Sequence, residues 1–359
     1  MLIKRNTGLS ILFVTLLTSL ATMVQAVETK AVGPNDPRLQ YVGRFTSDFT
    51  SSWTGSTVRC HFEGTYIAAK LITSSKKISY AVIVDGKPTK TIMVTPESSY
   101  YVLAENLAAG EHTVELFRRC EAYFGTVRFE GFEVDKTAKL LPVTVAKRKL
   151  MVIGDSITCA YGSEATDKAQ GNTAENENGY MSYAAITARH VEADIMMVCW
   201  SGRGMYRNRG INDKPGYETM PVLFDRIIPQ DKNSTWKRDS YKPDVVIINL
   251  GTNDLFRGKD QKPALTMDHY LGAYRQMVAK LKANYPGVQI FACIGPMAQQ
   301  PISDWLTAYQ SEDDAVHTVI FPGYNGVQED IGGHWHPSNI KMVKMADQLT
   351  GEIKTVMKW

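Results

Sequence analysis

Four polar clusters in the second half of the chain contain residue types that could together perform acyl transfer. They are Gly154-Asp155-Ser156, Trp200-Ser201-Gly202-Arg203-Gly204, Gly251-Thr252-Asn253-Asp254 and His334-Trp335-His336-Pro337-Ser338. A serine that attacks a carbonyl needs a base, and a histidine with a pKa near neutrality suits that role. Glycine N–H groups and an asparagine amide can stabilise the resulting oxyanion. Each cluster alone is also typical of a glycine turn, a helix cap or a surface histidine, so the prediction depends on their combination.

The serine cluster directly follows the apolar run Leu150–Ile153 and precedes a helix-compatible segment. This order is typical of a buried strand that presents a hydroxyl at a strand-to-helix turn, where the helix N-terminus favours negative charge. The alternative is that Ser156 only caps the helix, because serine is a preferred N-cap residue. The glycine and asparagine clusters also follow apolar runs, which favours the first interpretation.

These apolar runs predict a parallel sheet. Strand candidates alternate with helical patterns over residues 141–359, which we expect to form an α/β domain with a doubly wound sheet. The strand candidates are Leu150–Ile153, Ile195–Cys199, Val245–Leu250, Val288–Ile294 and Thr318–Phe321; one helical face is Tyr270, Leu271, Tyr274, Met277, Val278 and Leu281, and another is Ile340, Val343, Leu349, Ile353 and Val356. Ligands of such sheets bind beyond the carboxyl ends of the strands.

Residues 27–140 instead predict an all-β domain. Short β-branched or aromatic runs alternate with turn signals, and Asp85-Gly86 indicates a hairpin because both residues tolerate positive φ. The runs are Val58–Phe62, Tyr66–Ile72, Ile78–Val84, Thr91–Val94, Tyr100–Ala104, His112–Phe117 and Gly125–Val134. This spacing favours a β-sandwich resembling a jelly roll. We expect Trp53 and Tyr101 to fill its core, with sugar binding as the alternative.

Residues 1–26 are predicted to be a cleavable signal peptide. Lys4 and Arg5 precede the apolar segment Leu9–Leu20, and Val24-Gln25-Ala26 resembles a cleavage site. The apolar segment is short for a membrane anchor, so we expect a secreted or periplasmic protein with no membrane association after cleavage. The signal carries two of the net +3 charges, and the near-neutral remainder gives no support for nucleic-acid binding.

The five cysteines are scattered and show no Cys-x-x-Cys spacing, which argues against a zinc ribbon or a disulfide scaffold. Cys60 and Cys120 both lie in or next to predicted strands of the first domain. A disulfide between them and a pair of buried thiols are both open.

In their order along the chain, the four clusters resemble the sequence blocks of the SGNH (GDSL-type) hydrolases. The fuller resemblance is to the family 2 carbohydrate esterases, which join an N-terminal jelly roll to an SGNH domain. It is carried by Gly154-Asp155-Ser156-Ile157-Thr158-Cys159-Ala160-Tyr161-Gly162, Trp335-His336-Pro337-Ser338, Trp53-Thr54-Gly55-Ser56 and Gly110-Glu111-His112-Thr113-Val114. The resemblance implies a serine esterase, with no cofactor or metal, that removes O-acetyl groups from xylan or glucomannan.

The same resemblance implies a role for each matching residue. Ser156 would be the nucleophile and His336 the general base. The N–H groups of Ser156 and Gly202 and the Asn253 side chain would form the oxyanion hole, while Asp155 would shape the turn. The partner would be an acetylated polysaccharide or oligosaccharide. A general SGNH lipase or aryl esterase, and a carbohydrate-binding protein with a decayed esterase domain, are the alternatives.

One departure from the family pattern concerns the group that orients the base. SGNH enzymes usually carry an Asp three residues before the base, and family 2 esterases often one two residues before it. Gly333 and His334 occupy those positions. We therefore expect a Ser-His dyad in which a backbone carbonyl orients His336, with Asp330 or Glu329 as the alternative.

Three aromatic residues beside the predicted cleft are candidates for stacking on a sugar ring: Trp335, Trp200 and Tyr206. Core packing is the alternative for Trp200. His334 and His336 have the spacing of some zinc ligands, but no acidic residue supplies an obvious third ligand. We therefore predict no metal site and expect His334 to line the cleft or face solvent.

Overall fold

The computed structural model describes residues 28–75, 77–210, 214–256 and 263–359. The predicted signal peptide, residues 1–26, lies outside the described residues. Within the described ranges, no helix is both long enough and apolar enough to span a bilayer.

The first part of the chain folds as the predicted β-sandwich of antiparallel sheets. Its strands are β1 (Thr29–Val32), β2 (Gln40–Val42), β3 (Thr50–Ser51), β4 (Thr57–Glu63), β5 (Ile67–Ile72), β6 (Ile78–Val84), β7 (Lys87–Val94), β8 (Tyr100–Ala104), β9 (Glu111–Arg118), β10 (Val127–Asp135) and β11 (Lys139–Leu141). One sheet has the order β1-β10-β5-β8, with β3 paired to β10; the other has β11-β4-β9-β6-β7, with β2 paired to β4. The predicted hairpin joins β6 to β7, with positive φ at Asp85 (50°) and Gly86 (74°).

The second part folds as the predicted α/β domain around a parallel sheet. Its strands are β12 (Arg148–Gly154), β13 (Ala193–Cys199), β14 (Val245–Asn249), β15 (Gln289–Ile294) and β16 (Val316–Ile320), in the order β13-β12-β14-β15-β16. After β12 the chain adds β13 on one side and then β14 on the other. Ligands of doubly wound sheets bind beside this reversal of strand order, which lies at the carboxyl end of β12.

Helices cover both faces of the parallel sheet. They are α1 (Ser156–Cys159), α2 (Tyr183–His190), α3 (Met220–Leu223), α4 (Thr252–Leu255), α5 (Met267–Asn284), α6 (Ile302–Gln310) and α7 (Asn339–Met357). All six residues of the face predicted on α5 are buried. On α7 the prediction was partly wrong: Ile340 and Val343 are exposed, and Met342 and Met345 are buried beside Leu349. An exposed apolar residue has the same sequence signal as a buried one, so periodicity did not separate them.

The two domains share a buried contact. Trp53, which is 1% exposed, packs in the core of the α/β domain rather than in the sandwich core where we expected it. The buried Arg44 guanidinium lies over the Trp53 ring and donates to the carbonyl oxygens of Phe224 (2.7 Å) and Arg226 (2.8 Å). Tyr101 is partly buried against the sandwich core, as expected.

Each of the five cysteines is buried and free. Of the two states left open for Cys60 and Cys120, the structure therefore contains the buried thiols. Burial raises the pKa of the Cys60 thiol to about 12, so this side chain is expected to stay protonated and unreactive.

Candidate active site

Ser156 lies where β12 gives way to α1, beside the reversal of strand order. Asp155 is the N-cap residue of α1, and its Oδ1 accepts a hydrogen bond from the Ile157 N–H at 3.0 Å. This bond is the turn-shaping contact expected of Asp155. Burial of Asp155, together with the nearby carboxylates of Asp254 and Glu121, raises its pKa to about 7.

The His336 imidazole lies against the Ser156 hydroxyl. Nε2 of the ring is 2.8 Å from Ser156 Oγ, and Nδ1 is 3.1 Å from the His334 carbonyl oxygen. A carbonyl can only accept, so this contact favours the tautomer with the proton on Nδ1 and leaves Nε2 free to accept from the serine. Burial lowers the pKa of His336 to about 4, and the ring is therefore neutral at pH 7.

The acidic residues near the histidine in sequence are turned towards lysines. The Asp330 carboxylate lies 2.7 Å from Lys344 Nζ and 3.5 Å from Lys341 Nζ. Glu329 is exposed and lies 3.8 Å from Lys344 Nζ. The geometry thus pairs Nδ1 of His336 with a backbone carbonyl rather than with either carboxylate.

The two other candidate oxyanion donors lie in the same cavity as Ser156 and His336. Gly202 has a φ of +78° in the loop after β13, a region that favours glycine. The Asn253 amide nitrogen is 3.0 Å from Asp155 Oδ2 and 2.9 Å from the Arg203 carbonyl oxygen. These two acceptors orient the amide, and an oxyanion on the substrate would compete with them for one of its hydrogens.

Asp254, the last residue of the asparagine cluster, holds the chain beyond Gly202. Its carboxylate accepts hydrogen bonds from the backbone N–H groups of Met205 (2.9 Å), Tyr206 (2.6 Å) and Arg207 (3.0 Å). Burial raises the pKa of Asp254, and these three N–H groups oppose that rise. The carboxylate therefore links the loop after β13 to the loop after β14.

The cavity has a volume of about 800 Å³ and an aromatic lining. Trp200 and Trp335 both line it, and Trp335 is 53% exposed. Tyr206 requires a correction, because it lines a second cavity of about 530 Å³ and stacks on His269 with ring centroids 4.9 Å apart. Tyr206 is one of the three residues whose backbone N–H binds the Asp254 carboxylate, and its ring lines a cavity that does not contain Ser156.

Several residues of the cavity were not predicted as site residues. The Tyr161 ring stacks on His336 at 4.2 Å between centroids, and its hydroxyl is 2.8 Å from His334 Nδ1. The available signal was its position close behind Ser156, within the block that carries the family resemblance. Glu121, Tyr123 and Phe124 come from the β-sandwich and line the same cavity. Their sequence neighbourhood contains no motif, because their proximity results from domain packing.

In the described ranges, no three His, Cys, Asp or Glu side chains gather in a way that could hold a metal ion. His334 instead lines the cavity beside Tyr161.

Comparison with known proteins agrees with this architecture. Residues 41–143 match the family model described as Carbohydrate esterase 2 N-terminal, and residues 152–321 match the GDSL-like Lipase/Acylhydrolase family. Cellulase/esterase CelE of Acetivibrio thermocellus is 37% identical over 352 residues. The alignment covers 93% of this chain and 41% of CelE, so the chain spans less than half of that relative.

Two further comparisons extend over nearly the whole of both chains. An acetylxylan esterase / glucomannan deacetylase of Cellvibrio japonicus is 26% identical, with 92% of each chain covered. The solved structure of a family two carbohydrate esterase from Clostridium thermocellum, in complex with cellohexaose, is 36% identical and has a TM-score of 0.81. That alignment covers 89% of this chain and 99% of the other. The chain therefore belongs to the family 2 carbohydrate esterases.

Proposed function

We propose that this protein is a serine esterase that removes O-acetyl groups from plant cell-wall polysaccharides, xylan or glucomannan. The observation that carries the proposal is the 2.8 Å contact between Ser156 Oγ and His336 Nε2 in a cavity lined by aromatic side chains. The names of the relatives, acetylxylan esterase / glucomannan deacetylase and family two carbohydrate esterase, support the substrate class.

The reaction begins when neutral His336 takes the Ser156 proton at Nε2, and Oγ then attacks the acetyl carbonyl carbon. The Ser156 and Gly202 N–H groups and the Asn253 amide stabilise the oxyanion. The tetrahedral intermediate collapses as His336 donates its proton to the sugar oxygen, which leaves as a hydroxyl. Water, activated by the same imidazole, then releases acetate from the acetyl-enzyme.

We further propose that Ser156 and His336 act as a dyad. The His334 carbonyl, 3.1 Å from Nδ1, holds the ring in the productive tautomer, which is the orienting part of the role that an aspartate has in a triad. A carbonyl carries only a partial negative charge, so it stabilises the imidazolium less than a carboxylate does. The aromatic face of Tyr161, at 4.2 Å, contributes to holding the ring in place.

The test of this function is acetate release from acetylated xylan and glucomannan, together with hydrolysis of p-nitrophenyl acetate. Ser156→Ala is expected to lower kcat by at least about 10⁴-fold, because the nucleophile is lost. In the same assay Asp330→Ala should retain most of the activity, whereas a loss comparable to that of Ser156→Ala would contradict the dyad. Full activity in Ser156→Ala would contradict the esterase mechanism.

Two further measurements separate the alternatives. A series of esters of increasing acyl length should show a steep loss beyond acetate; equal rates on long acyl chains would indicate a general SGNH lipase or aryl esterase. If wild-type protein hydrolyses no ester but binds polysaccharide as tightly as Ser156→Ala does, it is a binding protein with a decayed esterase domain.

The proposal includes export. Residues 1–26 have the charged start, apolar segment and cleavage site of a signal peptide, and a polysaccharide substrate lies outside the cell. Expression of the full chain in a Gram-negative host should give a secreted or periplasmic product whose N-terminal sequence begins at Val27. An uncleaved product in the membrane fraction would contradict this part of the proposal.

A further inference from the structure

The loop that carries Gly202 is held by a carboxylate from the other domain. The Ser201 backbone N–H donates to Glu121 Oε2 at 2.7 Å, and the Ser201 hydroxyl donates to Glu121 Oε1 at 2.5 Å. One carboxylate therefore accepts from both donors of Ser201. The peptide plane that follows Ser201 contains the Gly202 N–H, so fixing Ser201 restricts the direction in which that N–H points.

Glu121 lies deep in the boundary between the domains. It follows β9 of the sandwich and precedes a short 3-10 turn, Ala122–Phe124, and it is 1% exposed. Its burial raises the pKa of the carboxyl group, while the Ser201 donors and the nearby Arg203 oppose that rise. Burial of a carboxylate destabilises a fold unless its oxygens are satisfied, and here both oxygens are satisfied by the loop of the proposed oxyanion donor.

The backbone of Glu121 is itself fixed. Its N–H donates to Glu177 Oε1 at 2.9 Å, and Glu177 Oε2 accepts from Asn172 Nδ2 at 2.6 Å. Asn172 Oδ1 accepts from the Gly162 N–H at 2.8 Å. Gly162 in turn accepts a 2.9 Å bond from the N–H of Gly333, in the loop of the proposed base. Glu121 is thus anchored to the same framework that supports the histidine loop.

We propose that Glu121 is a positioning residue through which the β-sandwich completes the active site. Its carboxylate holds Ser201 so that the Gly202 N–H faces the position of the oxyanion. The sandwich then contributes to catalysis directly, in addition to any contribution to substrate binding or stability. This inference rests on the proposed function, because it assigns the Gly202 N–H to the oxyanion hole of the esterase.

The test compares kcat and KM of Glu121 variants on p-nitrophenyl acetate. Glu121→Ala frees Ser201 and is expected to lower kcat by about 10–100-fold. Complete removal of one oxyanion donor lowers kcat by about 10²–10³-fold, and a misplaced donor should lower it by no more than that. KM should stay within about twofold of the wild-type value, because the contacts that bind ground state and transition state equally well are unchanged. Glu121→Gln should restore kcat to within about fivefold of wild type, because its oxygen accepts from the Ser201 N–H and its amide donates to the hydroxyl.

Two variants guard against a purely structural explanation. Glu121→Asp keeps the charge but is one methylene shorter, so it cannot satisfy both Ser201 donors and should also lower kcat. This variant provides the test if Glu121→Ala does not fold. Arg59→Ala is the matched control, because Arg59 joins Glu115 of the sandwich to Asp194 of the α/β domain away from the cavity. It should lower the melting temperature and leave kcat unchanged.

Wild-type kcat in folded Glu121→Ala, a change in KM alone, or a glutamine variant as impaired as alanine would overturn the proposal. So would a loss of kcat in Arg59→Ala equal to that in Glu121→Ala. If wild-type protein hydrolyses no ester, the proposed function fails separately. The rate at which a fluorophosphonate probe labels Ser156, which depends on the oxyanion hole and on no particular ester, then still tests Glu121: an unchanged rate in Glu121→Ala overturns the role, and a slower rate supports it.

Discussion

At the scale of single residues, the surroundings of His336 determine which proton can move. Nδ1 faces a backbone carbonyl, Nε2 faces Ser156 Oγ, and the Tyr161 ring covers one side. Burial disfavours the charged form and lowers the pKa of His336 to about 4. A base with this pKa is a weaker proton acceptor than an ordinary histidine, but it is already in the basic form at every pH above about 5.

This environment predicts the pH profile. With His336 as the proposed base, the neutral ring is the active form, so kcat/KM should fall only as the pH decreases through about 4 and should be level between pH 5 and 7. An unperturbed histidine would place the acidic limb near pH 6.5. The measurement is kcat/KM for an acetyl ester between pH 3.5 and 8, with circular dichroism at each pH to separate unfolding from titration. A limb between about pH 6.5 and 7 would contradict this prediction, whether it came from an unperturbed His336 or from Asp155, whose pKa is raised to about 7.

The sequence could identify those candidate site residues whose geometry is local, and the structure brings them into one cavity. Ser156, Gly202, Asn253 and His336 each follow a strand or precede a helix, and the parallel sheet brings strand ends together. Glu121 could not be found in this way, because it reaches the cavity only through the packing of two domains.

At the scale of elements, the loop after α1 and the loop that leads into His336 are in close contact. Gly162, which ends the turn after α1, has a φ of +55°, and a Cβ there would lie 3.1 Å from the Gly333 Cα. Gly333 begins the 3-10 turn Gly333–Trp335 that leads into His336. The loop that positions the proposed nucleophile and the loop that positions the proposed base therefore pack backbone against backbone.

We expect Gly162→Ala to move the histidine loop. The added methyl group requires a shift of a few tenths of an ångström, and since a 1 Å misplacement can lower the rate by about 100-fold, a loss of about tenfold in kcat is expected. The left-handed φ should also destabilise the fold by about 1–2 kcal/mol. Steady-state kinetics and urea unfolding measure the two effects.

Gly351→Ala provides the matched control. Gly351 is exposed within α7, where an added Cβ meets no atom within 4 Å. Alanine is the better helix former, so this variant should gain about 0.5–1 kcal/mol of stability and keep wild-type kcat. Equal kcat in both variants would show that the contact between the two loops does not position the base.

The regular elements were predictable to the extent that their apolar residues alternate or run continuously. The parallel strands, β6 and β8 were found at or near their observed bounds. β1, β2, β3 and β11 were missed because each has four residues or fewer, and β1 is largely exposed. β1 and β3 form strands by pairing with β10, and β2 and β11 by pairing with β4. β7 begins at Lys87 rather than Thr91, since its first residues are exposed and carry no apolar signal.

At the scale of the whole molecule, the change near residue 140 from short β runs to strands alternating with helices predicted two domains but not how tightly they are joined. The Trp53 indole, from the sandwich, is buried in the core of the α/β domain, and its Nε1 lies 3.4 Å from the Arg226 carbonyl oxygen. The Arg44 guanidinium beside it carries no ion pair with a carboxylate in the described contacts, and burial lowers its pKa to about 9. Trp53 could not be assigned to the other domain from the sequence, because an aromatic residue in a β domain is normally part of its own core.

This shared core predicts that the two domains unfold together. Trp53→Ala should lower the free energy of unfolding by about 3–5 kcal/mol, the usual effect of removing a large buried aromatic side chain. Because the indole contacts the α/β core, loss of secondary structure and loss of esterase activity should share one midpoint in urea, shifted to lower concentration in the variant. Val145→Ala, at a 56% exposed position between β11 and β12, is the control and should leave the free energy of unfolding within about 0.5 kcal/mol of wild type. Two separate transitions in wild-type protein, with the first leaving activity intact, would show that the sandwich unfolds independently and that neither Trp53 nor Glu121 joins it to the active site.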